Sequence, residues 1–272
     1  MVELAGIGKS YRLKLSKVLE QNFAVITPNL VSKTLSISTQ ESGRLLARWC
    51  KNGWIYRIKR GTYVPIPINS TSSDVILEEP FVVVESIYGP GYIAGFTAIK
   101  HWDFSEQIFE TITFFTCQKV KNRNPCHGGI KFKIKTIANY KMFGLKNLWF
   151  GNIKVKVSDP TKTMIDLLDD PKLVGGISVI CDFFSEYIES EYYNFDLLIQ
   201  YAHKMRNRTI FKRLGLILET KFNVTDKSLD VLLKNISVGL SEFDPLIPSN
   251  DVIHKWRLKV PAYWKKEYDS KK

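Results

Sequence analysis

Residues 38–64 read STQESGRLLARWCKNGWIYRIKRGTYV, and most of the fold can be inferred from them. On a helix opening at Ser38 or Thr39 and stopped by Gly53, successive residues turn by about 100°. Gln40, Arg44, Ala47, Arg48 and Lys51 then share one side, and Ser42, Leu45, Leu46 and Trp49 share the other. The first side is polar and basic; the second is a packing stripe. After Gly53, WIYRI and TYVPI are rich in β-branched and aromatic residues, and Lys59-Arg60-Gly61 between them predicts a tight hairpin.

Upstream, residues 11–21, YRLKLSKVLEQ, place Leu15, Val18 and Leu19 at helical spacing. Thr27-Pro28 predicts a second, short helix to about Thr34, with Thr as its cap and Pro in its first turn. Three helices and a basic hairpin within residues 1–68 have the plan of a winged helix-turn-helix. The polar, proline-containing segment IPINSTSS, residues 66–73, predicts the boundary to a larger domain over residues 69–272. The fold class expected is therefore α+β: a winged helix-turn-helix followed by a mixed α/β domain with an antiparallel sheet.

Charge is distributed unevenly between these parts. Of the formal net charge of +12, residues 1–68 carry +8, from 11 Lys and Arg against Glu3, Glu20 and Glu41. A concentrated basic segment attracts polyanions, because binding releases their condensed counterions. On the helix model Ser38, Thr39, Gln40 and Arg44 lie nearest the base edges of a major groove. Arg48 and Lys51 are placed to meet phosphates, which set register without reading sequence. Lys59 and Arg60 at the hairpin tip, helped by Arg57, would reach an adjacent groove or backbone. Double-stranded DNA is the partner these residues predict.

Within residues 69–272, residues 74–104 read as mainly helical, broken by GPG at 89–91. TITFFTC, IKFKIKTI and NIKVKVS are β-rich; the last two alternate apolar residues with Lys, which suggests antiparallel strands wet on one face. Lys131, Lys133, Lys135, Lys154 and Lys156 are thus either a second polyanion surface or ordinary solvent-facing alternation. From Pro160 the chain reads as helical through TKTMIDLLDD, ISVICDFFSEYI, DLLIQYAHKM and KRLGLILE, then as a loop-rich tail.

Known catalytic signatures are missing. The chain has no P-loop, no G-x-G-x-x-G after a strand, no G-x-S-x-G and no H-E-x-x-H. Cys50, Cys117, Cys126 and Cys181 show no metal or redox spacing and read mostly as reduced, packed thiols. Asp166, Asp169 and Asp170 read as the solvated face of a helix, and His101 as packed beside Trp102. No catalytic residue, cofactor or metal is expected. With no long apolar run, the expectation is a cytoplasmic protein without a membrane partner.

Five segments together resemble the AbiEi family, antitoxins of type IV toxin–antitoxin systems. LARWCKNGWIYRIKRGTYVPIP (46–67) is similar to that family's recognition helix and wing, and GYIAGFTAIKHWDF (91–104) to the helix after its linker. VSDPTKTMIDLLDDP (157–171), FKRLGLILE (211–219) and FDP followed by KWRLKV (243–260) resemble its later segments. The chain departs where the family often has His-Gly-Leu, reading His101-Trp102-Asp103, and where Val260-Pro261 ends the terminal motif. The resemblance implies a bacterial or archaeal autorepressor that binds inverted repeats in its own promoter. It also implies an antitoxin that counters a nucleotidyltransferase toxin of the AbiEii kind. Two alternatives stand beside it. One is a nucleic-acid-processing enzyme with Asp159 and Asp166 on magnesium; the other is a plain transcriptional regulator that senses a small ligand.

Overall fold

A computed structural model of the chain describes residues 8–21, 23, 25–66, 79–107, 110–150, 153–222 and 224–271. The expected boundary segment at 66–73 therefore lies, apart from Ile66, outside the described residues. Helices and strands are mixed throughout, and antiparallel pairing occurs in several sheets. The chain divides into two compact units. The first comprises Met1–Tyr92, Glu110–Thr136 and Asn147–Lys156; the second comprises Ile93–Phe109, Ile137–Lys146 and Val157–Lys272.

The first unit opens with α1 (Lys9–Leu19), α2 (Pro28–Leu35), α3 (Thr39–Lys51), β1 (Ile55–Lys59) and β2 (Thr62–Pro65). The Thr27 hydroxyl accepts the Leu30 N–H, and Pro28 occupies the first turn of α2, where a missing N–H costs nothing. Ser36, left-handed at φ 54°, ends α2 and turns the chain within three residues into α3. At the far end the Trp54 N–H returns to the Trp49 carbonyl at 3.0 Å, with Gly53 left-handed at φ 73°. Ile26 pairs antiparallel with Tyr63, an isolated bridge that lays a third segment against the β1–β2 hairpin. Leu15, Val18, Ile26, Val31, Leu46, Trp49, Ile55 and Tyr63 form one apolar cluster that ties these elements together. Fully burying a side chain of this kind is worth about 1.5–3 kcal/mol.

Next come α4 (Pro80–Tyr88), β3 (Gly91–Ile93), α5 (Gly95–His101), β4 (Thr111–Thr116), β5 (Cys126–His127), β6 (Ile130–Thr136), β7 (Leu145–Phe150) and β8 (Ile153–Ser158). The strands form a sheet in the order β5-β6-β4-β3-β8-β7. β6 runs parallel to β4, from Thr111 opposite Lys131 to Thr116 opposite Thr136, and Ile93 of β3 pairs parallel with Val157 of β8. The antiparallel reading of the two lysine strands holds only in part: β6 runs antiparallel to β5, with Cys126 opposite Lys131, but parallel to β4, and β8 runs parallel to β3. Alternation reports which face is wet, whereas direction follows from how the connections cross the sheet. The GPG segment at 89–91 does more than break the helical stretch: its last glycine opens β3. A Cβ on Gly91 would sit 2.3 Å from the Phe115 carbonyl oxygen, so glycine lets β3 lie against β4.

The second unit adds α6 (Pro160–Asp169), α7 (Ile177–Glu189), α8 (Phe195–Lys204), α9 (Thr209–Lys221), α10 (Asp226–Leu233), β9 (Ser241–Glu242), β10 (Asp251–Ile253), β11 (Leu258–Val260) and α11 (Ala262–Ser270). The tail read as loop-rich thus holds a small sheet, β10-β11-β9, and a terminal helix. Phe243, Trp256, Leu258 and Trp264 bury this tail. α6 is buried from Pro160 to Leu168. Its Asp159 cap accepts the Lys162 N–H at 2.7 Å and the Tyr201 hydroxyl at 2.8 Å. Arg213 of α9 donates to the carbonyls of Leu168, Glu242 and Phe243, anchoring α6 and the tail together. Gly215 explains the RLG triplet: a Cβ there would lie 2.0 Å from the Trp256 ring. Among the described residues no helix is long and apolar enough to cross a membrane.

Candidate nucleic-acid interface

Helix α3 divides as its periodicity requires. Ser42, Leu46 and Trp49 are buried and Leu45 is half-buried, whereas Thr39, Gln40, Arg44, Ala47, Arg48 and Lys51 are exposed. Ser38 sits just before the helix, and its hydroxyl oxygen accepts the Glu41 N–H at 3.1 Å. A hydroxyl engaged as an N-cap is held in place by the helix, so the side chains on this end that remain uncommitted are Thr39, Gln40 and Arg44.

Arg48 has a partner that the periodicity did not reveal. Its guanidinium donates to the Tyr11 hydroxyl of α1 and lies 5.3 Å from the centre of that ring. The stacking fixes the guanidinium's direction and leaves further N–H groups for an acceptor. Nothing in the spacing of α3 signals this contact, because Tyr11 lies 37 residues away.

The hairpin separates its cations. Arg57 is exposed opposite Tyr63, and Arg60 is exposed in the turn beside Gly61, which is left-handed at φ 75°. Lys59 faces Thr62 after a register irregularity. Its ammonium donates to the Ile87 carbonyl at 3.2 Å and lies 6.0 Å from the Tyr88 ring centre. It therefore holds the C-terminal end of α4, where a cation meets the negative end of the helix dipole. The same Tyr88 hydroxyl is 2.9 Å from Nε2 of His127. Burial, and then the Lys59 charge, hold that imidazole below its ordinary pKa.

The electrostatics reach beyond the nine residues singled out in the sequence. All eleven cations between Lys9 and Arg60 are exposed, including Lys9, Arg12, Lys14, Lys17 and Lys33 on α1 and α2. None of them forms an ion pair with a carboxylate among the described residues. A surface of unneutralised cations backed by one apolar cluster can hold a polyanion without rearranging its core.

The other candidates resolve differently. Asp166, read as solvated, is buried and paired with buried Lys162. Asp169 pairs with Lys141 at 2.6 Å and accepts from Asn207 at 2.8 Å. Among the described residues no group of three or more His, Cys, Asp or Glu is placed to hold a metal ion. Cys181 is buried, its thiol pushed up to about 12 by desolvation, while Cys126 is exposed rather than packed. His101 packs edge-on against Trp102 with ring centres 4.7 Å apart. Phe183, Phe184 and Tyr187 are buried on α7. Compared with known proteins, the chain matches no family model and no curated sequence.

Proposed function

We propose that residues 8–66 act as a winged helix-turn-helix that binds duplex DNA, with α3 in the major groove and the β1–β2 hairpin as the wing. The observation that carries this reading is the exposed, unneutralised set of eleven cations around a helix whose opposite face is core. Thr39, Gln40 and Arg44 then face base edges, and Arg48, Lys51, Arg57 and Arg60 meet phosphates. Lys59 supports the wing from behind through the end of α4.

Within that class the reading is an autorepressor of the AbiEi kind. It binds inverted repeats in its own promoter, and its remaining domain counters a nucleotidyltransferase toxin. The support is the order and spacing of the five resembling segments, and the structural work done in them by Gly91, Arg213, Gly215 and Trp256. The enzyme alternative has no comparable support, because Asp159 and Asp166 are bound to internal partners.

Fluorescence anisotropy with the upstream region of the chain's own gene, against random duplex, tests the reading. Arg44→Ala should weaken specific binding about 5- to 150-fold and relax specificity at one position. Arg60→Ala should weaken binding to every sequence and lower the salt slope by about one unit. Equal affinity for both duplexes would reject the repressor role, and identical behaviour of the two variants would reject the assigned contacts.

A further inference from the structure

A second surface lies in β7 and β8, outside the helices and hairpin considered so far. β7 is the last strand in the sheet order, so among the described residues one of its main-chain edges has no neighbouring strand. Side chains alternate across the pair: Val155 and Val157 are buried, while Lys154 and Lys156 are exposed. Asn147 and Trp149 of β7 are also exposed, and the Lys154 ammonium lies 5.9 Å from the Trp149 ring centre, which puts both on one face. Of the chain's six tryptophans, only Trp149 is exposed, at 65%. Trp49, Trp256 and Trp264 are buried, and Trp54 and Trp102 half-buried. The exposed indole and the ammonium beside it set an aromatic face and a positive charge side by side on one surface.

We infer that this face binds single-stranded nucleic acid, with Trp149 as a stacking platform for one base and Lys154 and Lys156 along the phosphate backbone. Charge complementarity selects the occupant: among the described residues, β7 and β8 present two lysines and an amide on this face and no carboxylate. Glu85 of α4, whose carboxyl is raised by desolvation, feels the Lys156 charge, which lowers it again. An intact duplex offers no base face to an indole, because its bases are already stacked and paired. A single strand offers every base. The Asn147 amide can donate to or accept from an unpaired base edge. This inference stands apart from the duplex-binding surface of α3 and survives if that surface fails its own test.

The experiment uses the full chain and fluorescein-labelled oligonucleotides of about 12 nucleotides, (dT)12 and (rU)12, read by anisotropy. Both should bind, with affinity falling as salt rises; the tighter of the two identifies DNA or RNA as the source. Trp149→Ala should weaken binding about 5- to 150-fold, the range expected for losing one stacked base. Trp149→Phe should keep most of the affinity, and Lys227→Ala, at an exposed lysine of α10, should leave it unchanged. Because Trp149 is exposed, circular dichroism should show the same unfolding transition for all three variants. Single-strand affinity unaffected by Trp149→Ala, or no single-strand binding at all, would overturn the inference. So would Trp149-dependent binding to anionic phosphatidylserine vesicles with none to oligonucleotides.

Discussion

Lys162 and Asp166 offer the sharpest test of how the second unit is held together. They are one helical turn apart on α6, their side chains are 0% and 2% exposed, and the Lys162 ammonium contacts the Asp166 carboxylate. The ammonium also lies 4.9 Å from the centre of the Phe143 ring. Helical propensity does not explain the pair, because the favourable order on a helix places the acid first. Burial decides its energetics. Removing one partner leaves the other charge in a medium that cannot solvate it, at a cost of about 3–5 kcal/mol. For a unit of this size that corresponds to roughly 6–20 °C of melting temperature. Replacing both with apolar side chains of similar volume removes both desolvation penalties along with the attraction. Lys162→Met and Asp166→Leu should therefore each be strongly destabilising, and the double variant less destabilised than either. Thermal unfolding by far-UV circular dichroism, with urea midpoints for all four proteins, completes the cycle. Single-variant losses below about 1 kcal/mol, the range of exposed pairs, would show that water reaches the site. Additive losses in the double variant would show that the two residues act separately, and either result would refute the reasoning.

Two further outcomes follow from the first unit. Ser38→Ala should cost about 1 kcal/mol of stability through the lost cap while nearly preserving duplex affinity. Ser38→Asp should keep the cap and gain from the helix dipole, yet weaken duplex binding and lower the salt slope by about one unit. Affinity lost in Ser38→Ala at unchanged stability would mean that the hydroxyl reads a base. His127 gives the pH dependence. Its folded pKa is lowered from 6.5, so the unfolded chain takes up the proton first. The stability it contributes is complete above that value and is lost as pH falls toward the depressed folded pKa. His127→Gln should flatten part of the fall in urea midpoint between about pH 7.5 and 5, leaving the share due to His101, which is shifted in the same direction. Superimposable profiles for the two proteins would exclude His127 as a contributor.

Where a local rule governed, the sequence was enough. Thr27-Pro28, Ser38 and Gly53 mark helix ends because caps and left-handed stops act within a few residues. The two faces of α3 follow from a fixed turn per residue. The lysine strands were legible as half-wet for the same reason. Their direction was not, since one-face alternation is the same whichever way the neighbouring strand runs. β3 and β7 were hidden. Three residues are too few to show a period, and LKNLWF lacks strict alternation because β7 lies at the edge of its sheet.

Charge and periodicity alone determined a basic amphipathic helix followed by a cationic hairpin, because both are properties of near neighbours along the chain. Only the tertiary structure decided that Arg48 leans on Tyr11, that Lys59 turns back to α4, and that Asp166 is buried with Lys162. Each of these depends on which distant residues or elements surround a side chain. A charged residue reads the same in sequence whether water or protein surrounds it; packing alone sets the dielectric it experiences.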